Sequence, residues 1–248
     1  MSANSVAEKF EIIADEVYKV GQKSEYDRFW DIYQNYGNRT ECQGMFYGYG
    51  WKPETFKPKY SLKPTSASSM FYMARLTGLD LVQRLEELGL ELSFEDCSNL
   101  SYTFSLCGIS HIGIVDTRNA SDLTYTFDQG YYDMVTIDKI ILKDDGSQTF
   151  SNTFRYSYGL KEIRFDGVIG NDIDLRYSTV LSLNSILSII IALKSDATGK
   201  KVVLSKTAVD KAFETSEGAN DGSTSQVWIS TISSKSNQYD GNWTISLV

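Results

Sequence analysis

One histidine, three prolines and three cysteines are all that 248 residues hold of these types, and each scarcity excludes something. A zinc site needs three or four converging His, Cys or carboxylate ligands, which His111 and the scattered cysteines do not supply. Cys42, Cys97 and Cys107 are odd in number and lack CxxC spacing, which speaks against a disulfide framework and suits a reducing site of synthesis. Long apolar runs are missing: Ile186 to Leu193 is too short to cross a bilayer. Met1 to Lys9 is polar and lacks the apolar centre of a secretory signal, so the expectation is a soluble protein or a piece of a larger precursor. There is no basic stripe either. Lys200-Lys201 is the longest basic run in a chain of net charge −8, so neither nucleic acid nor an anionic membrane is an expected partner.

Catalytic signatures are equally sparse. No GxGxxG, Walker or GxSxG pattern occurs. Cys107 and His111 could be imagined as a nucleophile and its base, but a single Cys and a single His are little to build on. Asp144-Asp145-Gly146 and Asp172-Ile173-Asp174 lack the twelve-residue ligand spacing of calcium loops and read as turns, where Asp and Gly are favoured for backbone reasons. No catalytic residue, cofactor or metal is therefore expected.

What the chain has in quantity is aromatic residues, sixteen Tyr, twelve Phe and four Trp. Such a profile suits surfaces that recognise sugars or proteins, and also strand-rich cores. The first 37 residues read as helical: Ser5 to Glu8 has capping-box spacing, and Val6, Phe10, Ile13, Val17 and Val20 form a short heptad seam. That seam is either a cap packed on the chain's own body or a route to a homo-oligomer. Residues 38–64 gather glycines, aromatics and all three prolines, and read as an extended connection and N-terminal cap.

Repeats follow. Ala67-Ser68-Ser69-Met70-Phe71 aligns with Leu100-Ser101-Tyr102-Thr103-Phe104, with Leu123-Thr124-Tyr125-Thr126-Phe127 and with Phe150-Ser151-Asn152-Thr153-Phe154. After each anchor Phe comes a second signature: Leu76-x-x-Leu79-x-Leu81, Ile109-x-x-Ile112-x-Ile114, Met134-x-x-Ile137-x-Lys139 and Leu160-x-x-Ile163-x-Phe165. Such units cannot bury an apolar face alone but share a core when stacked. The expected fold class is α+β: a right-handed leucine-rich-repeat solenoid over residues 65–176, with N-terminal helices and a C-terminal α/β cap over 177–248. The last two apolar positions of each signature should point inward together. The nine residues Val82 to Leu90 have helical spacing and fit the convex side. Ile173 to Leu175 reads as a final strand; in the cap, Ser185 to Lys194 and Thr207 to Glu214 read as helices and Val202 to Leu204 as a strand. Val227-Trp228-Ile229 and Trp243-Thr244-Ile245 read as a closing strand pair joined at Asp240-Gly241.

These units resemble the BspA-like leucine-rich repeats of gut and oral bacteria and their phages, over roughly Thr65 to Arg176. In that family a Cys often follows the Phe by three residues, as in Phe104-Ser105-Leu106-Cys107; the other three units depart from this. Glu25 to Trp30, Val115-Asp116-Thr117 and Asp145 to Ser151 also resemble uncharacterised proteins of Firmicutes and their prophages, some lying among tail genes. The resemblance implies a non-enzymatic recognition or structural module, contacting a bacterial surface from a phage tail or serving as a bacterial surface adhesin; a carbohydrate-active enzyme is the remaining alternative. The implied partners are a protein or a surface glycan. The candidate binding surface lies on the x positions of the strands: Gly78, His111, Thr136 and Glu162 in one column, Asp80, Gly113, Asp138 and Arg164 in the next. Tyr102 and Tyr125, two residues before their anchors, form a candidate aromatic ladder on another side.

Overall fold

The computed structural model describes residues 42–48, 51–54, 56–130, 132–215, 224–236 and 243–248. The N-terminal helical seam, the oligomerisation expected of it and the Asp240-Gly241 turn lie outside these residues.

The anchor phenylalanines are core, and they are stacked. Phe71, Phe104, Phe127 and Phe154 lie in one pile, with ring centroids 5.4, 5.6 and 5.6 Å apart and planes within 11° of parallel. Phe46 continues the pile at 5.1 Å from Phe71, so the connecting segment supplies a further anchor that the alignment missed. All five rings are buried. The residue four positions before each anchor (Cys42, Ala67, Leu100, Leu123, Phe150) is buried as well. The threonine before the anchor ties neighbouring units together. Thr126 Oγ1 donates to the carbonyls of Leu100, in the unit before, and of Leu123, in its own, at 3.1 and 2.9 Å; Thr103 and Thr153 repeat the cross-unit bond.

On the opposite side of this pile three strands pair in parallel, β1 (His111–Asp116), β2 (Thr136–Ile141) and β3 (Glu162–Asp166), in the order β1-β2-β3. Ile112, Ile137 and Ile163 stand in register and are buried. The expected inward pairing fails at Ile114, which is 55% exposed while Val115 beside it is buried. Across β2 and β3 the register shifts between Ile137 and Ile140, so the strands are not regular alternating ribbons.

A helix closes each edge of this sheet. Asp80 bridges to His111 on the β1 side, and its carboxylate caps helix α1 (Leu81–Glu87) by accepting from the Gln83 amide at 2.9 Å. Gly113 has no side chain where Val82 of that helix presses against the strand; a Cβ there would lie 3.0 Å from the valine methyl. On the β3 side, helix α2 (Leu183–Ala192), capped by Ser182, presents hydroxyls to the strand edge. Ser185 Oγ accepts from the Ile163 amide and Ser188 Oγ from the Phe165 amide, both at 2.9 Å.

A second sheet holds β4 (Ile173–Leu175), β5 (Lys200–Leu204) and β6 (Trp243–Leu247), again parallel and in that order. Ile173, Val202 and Ile245 align across it. Helices α3 (Lys206–Glu214) and α4 (Ser225–Ser236) accompany it, and Phe213 meets Trp228 at 5.8 Å.

The expected single leucine-rich-repeat solenoid is thereby corrected to a mixed α/β fold, with two small three-stranded parallel sheets and four short helices among the described residues. The first signature forms no sheet strand, because Asp80 caps a helix there. After β3 the serine-bearing helix α2 takes the strand's place. In the C-terminal quarter the expected strand Val227 to Ile229 lies in α4, and β6 pairs in parallel with β5 instead of closing a hairpin. β4, at 173–175, pairs with β5, at 200–204.

Candidate functional site

Two faces were open to consideration from the repeats, and the geometry separates them. On the strand face, His111, Thr136 and Glu162 do align across the sheet. The column begins at Asp80 in place of Gly78, since Asp80 is the residue bridged to His111. Most of its polar groups are occupied by one another. His111 Nδ1 lies 3.0 Å from Asp80 Oδ2, and Nε2 lies 2.9 Å from Asp138 Oδ1. Burial alone would lower the histidine's pKa, but the hydrogen bonds and charges of Asp138 and Asp80 outweigh it and raise the pKa above 6.5. Glu162 accepts from Ser182 Oγ at 2.7 Å, and Lys139 pairs with Asp166 at 3.2 Å. Arg164 is exposed and makes no bond to these groups. This face is mainly a network holding helix caps to strands.

The other face is less self-contained. Tyr102 and Tyr125 stack at 4.8 Å with planes 11° apart, as the candidate ladder required. The ladder is longer than the sequence suggested. Tyr47 meets Tyr72 at 5.6 Å, and Tyr72 meets Tyr102 at 5.7 Å. Beyond Tyr125 the Arg155 guanidinium lies 5.0 Å from that ring and 5.2 Å from Tyr156, which meets Tyr177 at 4.7 Å. Arg155 is fixed from behind by two bonds of 2.9 Å to the buried Asp128, which raise its pKa further. No spacing rule could find Tyr72, which follows its anchor, or Tyr177, which lies beyond the last one.

The backbone explains why these side chains line up. Two residues before the anchor, Ser69, Tyr102, Tyr125 and Asn152 have φ between 53° and 58°. Two residues after it, Met73, Leu106, Gln129 and Tyr156 have φ between 53° and 61°, while Gly44 and Gly48 flank Phe46 in the same way. The left-handed region costs non-glycine residues roughly 1 kcal/mol or more each, so its repetition shows the stacking imposing one backbone on every unit.

Because Tyr102 and Tyr125 cover each other's faces, solvent meets mainly their edges and hydroxyls. Ring edges carry the positive end of the aromatic quadrupole and attract electron-rich atoms. The hydroxyls of Tyr47, Tyr102, Tyr125, Tyr156 and Tyr177 find no hydrogen-bond partner among the described residues.

At the far end of the ladder lies an open groove of about 660 Å³. Its walls carry Arg155, Arg176, Lys200 and Lys201 together with Asp172 and Asp174. Asp174 sits in β4 paired with Arg176, and Asp172 accepts from the Lys201 amide at 2.8 Å, so this motif is not the turn expected of it. Asp145, by contrast, accepts from the Ser147 amide in a turn, as expected.

The imagined Cys107–His111 pair is not formed. Cys107 is fully buried, and burial pushes its thiol up to about 12, while both ring nitrogens of His111 are engaged by carboxylates. Among the described residues no group of three or more His, Cys, Asp or Glu is placed to hold a metal, and no helix is long and apolar enough to cross a membrane. Compared with known protein families, curated proteins and solved structures, the chain finds no match. The likeness of its repeats to the BspA-like family therefore rests on the residues alone.

Proposed function

We propose that this chain is a non-enzymatic recognition module that holds an oxygen-rich surface polymer, a glycan, along its tyrosine side. The observation that carries the reading is the continuous row Tyr47, Tyr72, Tyr102, Tyr125, Arg155, Tyr156 and Tyr177, along which Tyr47, Tyr102, Tyr125, Tyr156 and Tyr177 present hydroxyls with no partner among the described residues. A row of shallow, similar contacts suits a repeating ligand better than a small substrate, since each contact adds a modest increment. The strand face, whose carboxylates, histidine and hydroxyls are largely spent on each other, offers fewer such groups.

The resemblance to proteins of bacteria and their phages makes bacterial surface polysaccharides the first ligands to test. Tyr102→Asn removes a ring while keeping a residue that tolerates the left-handed backbone at φ 58°. Calorimetric titration with envelope polysaccharides should show binding to the parent chain and a loss of about tenfold for Tyr102→Asn, or about 1.4 kcal/mol. Unchanged affinity in Tyr102→Asn and in Tyr125→Asn would remove the ladder from the binding surface.

A further inference from the structure

Backbone hydrogen bonds along the stacked units run in one direction, toward the groove. Buried amides must be paired, so their partners can be followed one by one. In each unit, alternate amides close local turns: in the fourth, Thr126 and Asp128 donate to the carbonyls of Leu123 and Tyr125. Most intervening amides point onward; in the third unit those of Phe104 and Leu106 reach Thr126 and Asp128, while those of Leu100 and Tyr102 find no acceptor among the described residues. Leu123, Tyr125, Phe127 and Gln129 donate to the carbonyls of Thr149, Ser151, Thr153 and Arg155 in the next unit, and Ala67, Ser69, Phe71 and Met73 do the same two gaps earlier in the pile. The ladder has a direction, with carbonyls turned back and amides turned forward.

The last unit has the same local turns, Thr153 to Phe150 and Arg155 to Asn152. Its forward amides, those of Phe150, Asn152, Phe154 and Tyr156, find no acceptor among the described residues. Where a following unit would stack lies the groove, and Phe150 and Asn152 are part of its wall. Opposite them stand the basic residues. Lys200 is held at 2.8 Å by the Asn171 side chain and Arg176 by Asp174, whereas the Lys201 ammonium makes no bond to any described residue. Four cations thus face the two carboxylates of Asp172 and Asp174, with Asp128 behind Arg155, in a chain whose net charge is −8.

We propose that this groove takes an acidic group, a carboxylate, sulfate or phosphate, carried by the polymer that lies on the tyrosine ladder. The proposal rests on the glycan reading above and specifies the ligand's charge. Successive amides facing one concavity are a known anion cradle, and nearby cations add long-range attraction. An added peptide strand fits less well. A strand presents donors and acceptors in alternation, but this edge offers donors only, its carbonyls being taken by the unit before. An anion brings acceptors alone.

The test compares a hexamer of a uronic acid, an oligomer of glycerol phosphate and a neutral hexose hexamer, by calorimetry and by amide chemical shifts, on the full chain and on Lys201→Glu and Tyr102→Asn. At least one acidic oligomer should bind tenfold or more tighter than the neutral one and shift the Phe150 and Asn152 amides. Lys201→Glu should abolish that preference while leaving the weak neutral affinity in place. Which acid is preferred distinguishes a carboxylate from a phosphodiester ligand. Equal affinity for acidic and neutral oligomers, with loss in Tyr102→Asn, overturns the acidic subsite and spares the ladder. A preference for acid that survives Lys201→Glu without shifts at Asn152 also overturns it. An extended peptide that shifts the same amides where no acid does so replaces it with strand addition. No binding of any oligomer overturns both readings.

Discussion

The half built on stacked phenylalanines and the part around the second sheet use the same parallel pairing, yet they are stabilised in different ways. In the first, each inner anchor ring lies against a copy of itself on either side, as Phe127 does at 5.6 Å from both Phe104 and Phe154. Loss of one ring leaves a void that the pile cannot close without shifting every unit. In the second, β4, β5 and β6 share no repeated anchor, and the aromatic contact of α3 with α4 pairs a half-buried Phe213 with Trp228. Repetition there has given way to ordinary packing of unlike elements. The largest difference should therefore appear on truncation. Phe127→Ala should cost roughly 3–5 kcal/mol in denaturant unfolding, the usual range for a buried ring. Phe213→Ala should cost about 1–2 kcal/mol, because less apolar area leaves water there on folding. Equal losses would erase the contrast.

The same contrast decides what was legible in the sequence. Four anchors and their preceding positions could be aligned because an identical environment recurs and selects an identical pattern. Phe46 belonged to that set too, and its signal was present: Cys42 stands four residues before it, and Gly44 and Gly48 occupy the two left-handed positions. The glycines and prolines around it made the segment read as a connection. Extending the matches to one uninterrupted solenoid fails where a polar residue changes the local choice. Asp80 turns Leu81 into the start of a helix, and the serines at 182, 185 and 188 let a helix satisfy a strand edge. In both cases the apolar spacing is compatible with strand and helix alike, and the hydrogen-bonding side chain decides. Of the site, Tyr102 and Tyr125 were visible from their shared offset to the anchor. Tyr177 and the groove were not, because they arise where the repeat stops.

The junction between the two regions offers a sharper probe. Ser185 is buried, accepts from the Ile163 amide and donates to the Lys161 carbonyl at 3.1 Å, so it serves helix and sheet at once. Ser185→Ala leaves a buried strand amide without an acceptor, a loss of about 1–3 kcal/mol. Hydrogen exchange should show the effect first at Ile163. If that amide keeps its protection and the unfolding midpoint is unchanged, α2 is not what closes the sheet.

The smallest expected effect lies at the other edge and depends on pH. His111 holds Asp80, the cap of α1, to Asp138 on β2, and it makes both bonds as a donor only when protonated. Its pKa is raised on folding, so the stabilisation it supplies is complete below about 6.5 and is lost as pH rises through the higher folded value. Asp80 works in the opposite sense. Burial would raise its pKa, but the Gln83 amide and then His111 lower it below 3.8, so its contribution is present above that value and is lost as pH falls through the folded one. The edge is therefore firmest between about pH 4 and 6.5. Melting temperatures across pH 5 to 8.5 should decline more steeply for the parent chain than for His111→Asn, and the gap between the two should narrow toward the alkaline end. All three groups of this cluster are partly open to solvent, so the change should amount to a few degrees at most and shrink in high salt. Parallel pH profiles for the two chains would show that the histidine bridges the edge without stabilising it.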